Sequence, residues 1–204
     1  MRSRLSSAAL RAAVVCLVFF SSCLTAERTE IRIRYDEKDV PIEVTIRYSG
    51  ISSDEEKEVD LAKDFQRMLD SWLGDAQLVD WAKKGFAVRE RKVFLEGGKL
   101  QGREVLVPVE NDLSDWFDEK LIVSNGERIL VLDKDDGRIV DTNGKVVESE
   151  KNLFVVWPES AREIYFVQDY RSSWRPDAAK VIDRNAAELA KRFEAHLQKN
   201  PVTR

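Results

Sequence analysis

Between residues 86 and 168 the chain is cut into short pieces by glycine-bearing turn signals: Gly97-Gly98, Asn125-Gly126, Asp136-Gly137 and Asn143-Gly144. Asn, Asp and Gly tolerate the positive φ of a tight hairpin turn, so such dipeptides between β-branched runs mark places where a strand reverses. The intervening pieces are strand-like: Phe86 to Leu95, Leu100 to Val109, Leu121 to Val123, Arg128 to Leu132, Arg138 to Val140, Lys145 to Val147, Leu153 to Trp157 and Glu163 to Gln168. They are too short for helices and read naturally as an antiparallel meander. Gly102 suggests a bulge, and Pro108 puts its strand at an edge or ends it there. Asn111 to Glu119, with Trp116 and Phe117, reads as a short helix or loop.

Upstream, Glu30 to Tyr35 and Pro41 to Tyr48 alternate with period two. Ile31, Ile33 and Tyr35, then Ile42, Val44, Ile46 and Tyr48, form the inward face, and Arg32, Arg34, Glu43 and Arg47 the solvent face. Ser53-Asp54-Glu55-Glu56 has the form of a helix capping box. It precedes a stripe of Leu61, Ala62, Phe65, Met68, Leu69, Trp72 and Leu73 at helical spacing, interrupted at Gly74-Asp75 and resuming through Leu78 and Trp81. Pro176 opens a last helix with the stripe Ile182, Ala186, Leu189, Phe193 and Leu197, stopped by Asn200-Pro201. The expected fold class is α+β: a largely antiparallel sheet or meander, one long helix inserted after the first two strands, and a C-terminal helix. No linker interrupts residues 27–204, which are expected to form one extracytoplasmic domain.

That address comes from the start of the chain. Arg2, Arg4 and Arg11 precede the apolar run Ala12 to Phe20 and the small residues at its exit, the pattern of a secretory signal rather than a membrane span. Phe20-Ser21-Ser22-Cys23 resembles the lipobox of bacterial lipoproteins, which implies cleavage before Cys23, a signal peptide of residues 1–22 and acylation of Cys23. The competing site is ordinary cleavage after Ala26, with Leu24-Thr25-Ala26 ahead of the cut and a signal of residues 1–26. In the lipoprotein reading two or more acyl chains hold the chain at a membrane. Leu24, where enteric bacteria place Asp for inner-membrane retention, implies the outer membrane; in the other reading the protein is soluble in the periplasm or secreted.

Both cysteines of the chain, Cys16 and Cys23, fall in this segment, so the folded part has no internal disulfide and relies on its core. Lys and Arg number 33 against 37 Asp and Glu, a net charge of −4 that becomes more negative once the arginines of the signal are removed. An acidic chain with interspersed charges is a poor partner for nucleic acid.

Motifs for chemistry are weak. His196 is the only histidine and borders the last helical stripe, which excludes multi-histidine metal ligation. Asp133-Lys134-Asp135-Asp136-Gly137 departs from the calcium-loop spacing, because glycine stands at position five and Gly144 where a bidentate Glu belongs. Gly97-Gly98-Lys99 lacks the Ser or Thr and the first glycine of a phosphate loop. Arg89, Arg91 and Lys92 read as a solvated strand face. Neither metal nor cofactor is expected. Of the five tryptophans, Trp72 belongs to the helix stripe and Trp157 ends a strand. Trp116, Phe117, Tyr170 and Trp174, with Arg171 and Arg175, form the candidate binding surface, since aromatic and arginine side chains anchor interfaces.

The order Phe86-Ala87-Val88-Arg89-Glu90, Gly98-Lys99-Leu100-Gln101-Gly102, Thr142-Asn143-Gly144 and Val155-Val156-Trp157-Pro158 resembles the β-rich domain of LppM-type envelope lipoproteins. The resemblance implies a non-enzymatic envelope role, with contact to lipid, and carries over no functional residue. The leading expectation is a non-catalytic envelope lipoprotein that binds or supports another envelope component. The alternatives are a periplasmic carrier of lipid or another apolar ligand, a hydrolase using paired carboxylates, and a subunit of a larger surface assembly.

Overall fold

A computed structural model describes residues 24–109, 113 and 120–200. Cys23, Trp116 and Phe117 lie outside the described residues. Strands β1 (Leu24–Tyr35) and β2 (Pro41–Ser53) pair antiparallel and sit at the centre of a six-stranded sheet. Its order is β3-β4-β2-β1-β10-β7, with β3 (Phe86–Glu96), β4 (Lys99–Pro108), β7 (Arg138–Thr142) and β10 (Glu163–Asp169). Helices α1 (Glu58–Leu73) and α2 (Ala76–Lys83) follow β2, and α3 (Pro176–Lys199) closes the chain, giving the α+β class read from the sequence.

The alternation in the first two strands sorts side chains as expected. Ile31 and Ile33 stand opposite Ile46 and Val44 on one side and Phe166 and Ile164 on the other, all buried. The reverse face is a lattice of ion pairs, among them Arg32–Glu163 at 2.6 Å, Arg34–Glu43 at 3.3 Å and Arg47–Glu96 at 2.7 Å. Ile42 departs from its assigned face: the bulge at Arg34/Tyr35 pairs Tyr35 with Pro41 and turns Ile42 out to 39 % exposure.

Both strands also run beyond their expected ends, from Leu24 and to Ser53. At Gly50 the backbone takes φ +67°, and a Cβ there would meet the Glu27 side chain at 2.7 Å. The kink reverses the alternation, so Leu24, Ala26 and Ile51 are buried although their parity differs from that of Ile31 and Ile46. Pairing continues through it, with Leu24, Thr25 and Ala26 opposite Ser53, Ser52 and Ile51.

The capping box does not form. Ser53 is the last residue of β2, its Oγ donates to Asp64 Oδ2 at 2.7 Å, and α1 starts at Glu58 behind Lys57, which gives no side-chain cap. Asp64 is therefore buried on the helix face where apolar residues were expected, while Ala62 and Leu73 point to solvent. Leu61, Met68, Leu69 and Trp72 bury the remaining stripe, and Tyr48 meets Trp72 edge-on at 5.7 Å. Gly102 makes no bulge: it is regularly paired with Tyr48 and Val93, and a Cβ on it would come within 2.5 Å of Trp72 Cη2. The bulge lies in β3, between Val88 and Glu90, opposite Leu106 and Val105.

The expected meander is instead split between two sheets. Strands β5 (Leu121–Ser124), β6 (Glu127–Asp133), β9 (Asn152–Pro158) and β8 (Lys145–Glu148) form a second, four-stranded antiparallel sheet in that order. Asn125-Gly126 does close a hairpin, with φ +53° and +78°. The Asp136-Gly137 signal follows a short 3₁₀ turn, Lys134–Asp136, and Gly137 lies so close to the Asp169 carbonyl that a Cβ would come within 2.5 Å of its oxygen. That close approach sends β7 to pair with β10 at the edge of the first sheet. At the next turn Asn143 Oδ1 accepts from Trp157 Nε1 at 2.8 Å and from Tyr165 N at 2.9 Å, so one amide joins both sheets.

A single connected cluster of buried side chains includes Leu130, Leu153, Val155 and Trp157 of the second sheet together with Ile33, Ile164, Phe166, Leu61 and Phe193. Helix α3 packs on β2 and β4. Asn185 fastens it, donating from Nδ2 to the carbonyls of Ser53 at 2.9 Å and Glu55 at 2.7 Å.

Candidate functional site

Three of the candidate binding residues gather near the N-terminal half of β1. Gln168 and Asp169 end β10, and a 3₁₀ turn over Arg171–Ser173 leads on toward α3. Tyr170 N donates to the Glu27 carbonyl at 2.9 Å, and its hydroxyl donates to Gln168 Oε1 at 3.1 Å. The Arg171 guanidinium lies 6.0 Å from the Trp174 ring centroid. Arg175 is not drawn in: it is exposed and stands 3.8 Å from Asp177.

Arg171 lines a groove of about 570 Å³ together with Glu27, Arg28, the Gly97-Gly98-Lys99 turn and Asp183 of α3. The charges of this groove are matched internally. Arg171 grips Asp183 with two hydrogen bonds, at 2.6 and 2.7 Å, and reaches Glu27 Oε1 at 3.0 Å. Lys99 Nζ donates to both Glu27 oxygens, at 2.7 and 2.6 Å. The hydrogen bond from Arg171 holds the Asp183 carboxyl below the ordinary carboxylate range, and Asp183 in return raises the arginine. A carboxylate kept ionised in this way is unsuited to general-acid work. The chemistry on offer is recognition of a polar or charged group that can exchange places with one of these ion pairs.

Sequence reasoning missed a second polar cluster, beneath α1 and α2. Glu104 is fully buried, accepts from Trp81 Nε1 at 3.0 Å and from the Tyr48 hydroxyl at 3.5 Å, and lies opposite Arg91 in the β3–β4 register. Burial pushes its carboxyl up to about 7, against the pull of the Trp81 indole, Arg91, Tyr48 and Lys84. Arg91 in turn donates to Gln77 Oε1 at 3.3 Å and to the Gly74 carbonyl. Two further donors are buried here without a partner among the described residues, Trp72 Nε1 and Gln77 Nε2. The signal available was a carboxylate at the inward position between Gly102 and Leu106; its indole partner, 23 residues away, left no mark in the local pattern.

The remaining motifs have structural roles. Asp133 Oδ1 accepts from Asp135 N at 3.0 Å and caps the 3₁₀ turn. His196 stacks on Phe193 with ring centroids 6.4 Å apart. Arg89 pairs with Glu43 at 2.6 Å and Lys92 with Glu90 at 2.9 Å. Among the described residues no helix is long and apolar enough to cross a membrane. Comparison with protein-family models, with curated proteins and with solved structures finds no match to this chain.

Proposed function

We propose that the chain is a non-catalytic cell-envelope lipoprotein, cleaved before Cys23, acylated there, and held at a membrane, with the outer membrane favoured. Its folded part then binds or supports another envelope component. The observation that carries this reading is the start of β1. Leu24, Thr25 and Ala26 are paired strand residues, and Leu24 and Ala26 are only 8 % and 7 % exposed. Cleavage after Ala26 would strip these three residues from the sheet and uncover Ile51, which is fully buried. Cleavage before Cys23 leaves the strand whole. The two processing sites are only a few residues apart in sequence, and the pairing of Leu24, Thr25 and Ala26 in β1 supports the one before Cys23.

Intact mass of the mature N-terminus, from membrane and soluble fractions, tests this directly. The expected product begins at Cys23 and carries acyl chains; an unmodified chain beginning at Glu27 overturns the reading. Cys23→Ser is expected to block processing or move the protein out of the membrane fraction.

A further inference from the structure

The two sheets treat their outward faces differently. The six-stranded sheet is covered on its solvent side by Arg–Glu pairs. An antiparallel sheet with one face in water ordinarily alternates apolar-in and polar-out in this way. In the four-stranded sheet the inward set is Leu130, Leu132, Leu153, Val155 and Trp157, all buried. The register then places Ile122, Ile129 and Val156 in one outward row and Val131, Phe154 and Val147 in the next. Ile122 is 45 % and Val147 42 % exposed, and the central four are half-buried. This sheet is apolar on both faces, and no helix or strand among the described residues covers the outer one.

The rim of that face identifies what fits it. Lys145 on β8 extends the first row and Lys120, whose carbonyl accepts from Val131 N, the second, while Glu127 and Asp133 stand on the same face at the two ends of β6. Among the described residues, these two acids and two bases around an apolar centre give no net charge to attract an anionic bilayer or a polyanion. Such a rim is complementary to itself, because a two-fold operation brings the bases of one copy toward the acids of the other. Face-to-face packing of two antiparallel sheets is also how sandwich cores close.

We propose that the outer face of the β5-β6-β9-β8 sheet is the interface of a two-fold homodimer, with Ile129, Val131, Phe154 and Val156 at its centre. The dimer does not depend on acylation of Cys23. The tether would add only local concentration, by holding both copies in one plane.

The test uses two full-length copies with different C-terminal tags, co-expressed and treated with a zero-length carbodiimide. The copies are expected to co-purify, and the cross-linked dimer to yield peptides joining Lys145 or Lys120 to Glu127 or Asp133. Val147→Lys, at an exposed position outside the buried core, and Phe154→Glu are each expected to cut co-purification by about tenfold or more, with the thermal melt of the Val147→Lys protein unchanged. If Phe154→Glu fails to fold, Val147→Lys decides alone. Absence of co-purification overturns the proposal. So does co-purification that survives Val147→Lys, or that is lost only when proline is placed in the β8 edge, which would mean edge-to-edge pairing instead. A chain found wholly in the soluble fraction would sink the lipoprotein reading and leave this result standing.

Discussion

Replacing Glu104 by glutamine keeps an acceptor for the Trp81 indole while removing a group that titrates near neutrality. In the folded chain its carboxyl is raised to about 7 from an ordinary 4.5. Between those values the folded state holds a proton that the unfolded chain has released, so stability falls as pH rises through this window and levels off above it. The full effect is roughly 3 kcal/mol. Denaturant melts at pH 5, 6, 7 and 8 are expected to show this decline in the native protein and a much flatter profile in Glu104→Gln; an equal slope in both would place the titration elsewhere. A second prediction at this scale concerns Gly102, where a methyl group would press into the Trp72 indole. Gly102→Ala is expected to cost about 1–3 kcal/mol in a chemical melt. Both effects were half legible in the sequence. The inward parity of residues 102 and 104 was readable from Leu100 and Leu106, but the indoles that meet them come from helices whose placement no local pattern encodes.

Among the elements, β1 and β2 show best where sequence reading succeeds and where it stops. Period-two alternation found their cores and their charged face, since both follow from the pleat alone. It lost the strands at Gly50, where a positive φ reverses the parity and the pattern ceases to look like a strand. The capping box failed for a related reason: Ser53 has a stronger partner in the buried Asp64 carboxylate than in a helix amide. A chain beginning at Glu27 tests the value of the hidden segment. It forfeits the burial of Leu24 and Ala26 and is expected to be less stable by roughly 2–3 kcal/mol, measured against a chain that retains them. The crossover between sheets hangs on Asn143, which bonds Trp157 and Tyr165 at once. Asn143→Ala leaves the buried indole N–H without its acceptor and is expected to cost about 1–3 kcal/mol; equal stability of the variant in melts would mean that water replaces the amide. The Asn-Gly signal there was read correctly as a turn and incorrectly as a hairpin, because dipeptide chemistry fixes the local φ and says nothing about which strand comes next.

For the whole molecule, the class of the fold was readable and its division into two sheets was not. Strand count, turn positions and both amphipathic helices follow from periodicity, whereas the exchange of β7 into the first sheet depends on contacts such as Gly137 against Asp169. Of the candidate surface, Tyr170, Arg171 and Trp174 do assemble beside a groove, but the acidic partners that neutralise it come from other elements, Glu27 from β1 and Asp183 from α3. Strand β1 ties these parts together. It runs about 35–40 Å at the usual rise per residue, and for most of that length it has β2 on one side and β10 on the other. Its first residue is the next one after Cys23, and Tyr35 at its far end lies under Arg128 of the second sheet, 3.9 Å from ring to guanidinium. A pull on the chain before Leu24 is therefore applied along a central strand whose hydrogen bonds run across the direction of force. Those bonds share the load in shear rather than opening one at a time, which makes this end of the protein a mechanically strong place from which to hang it.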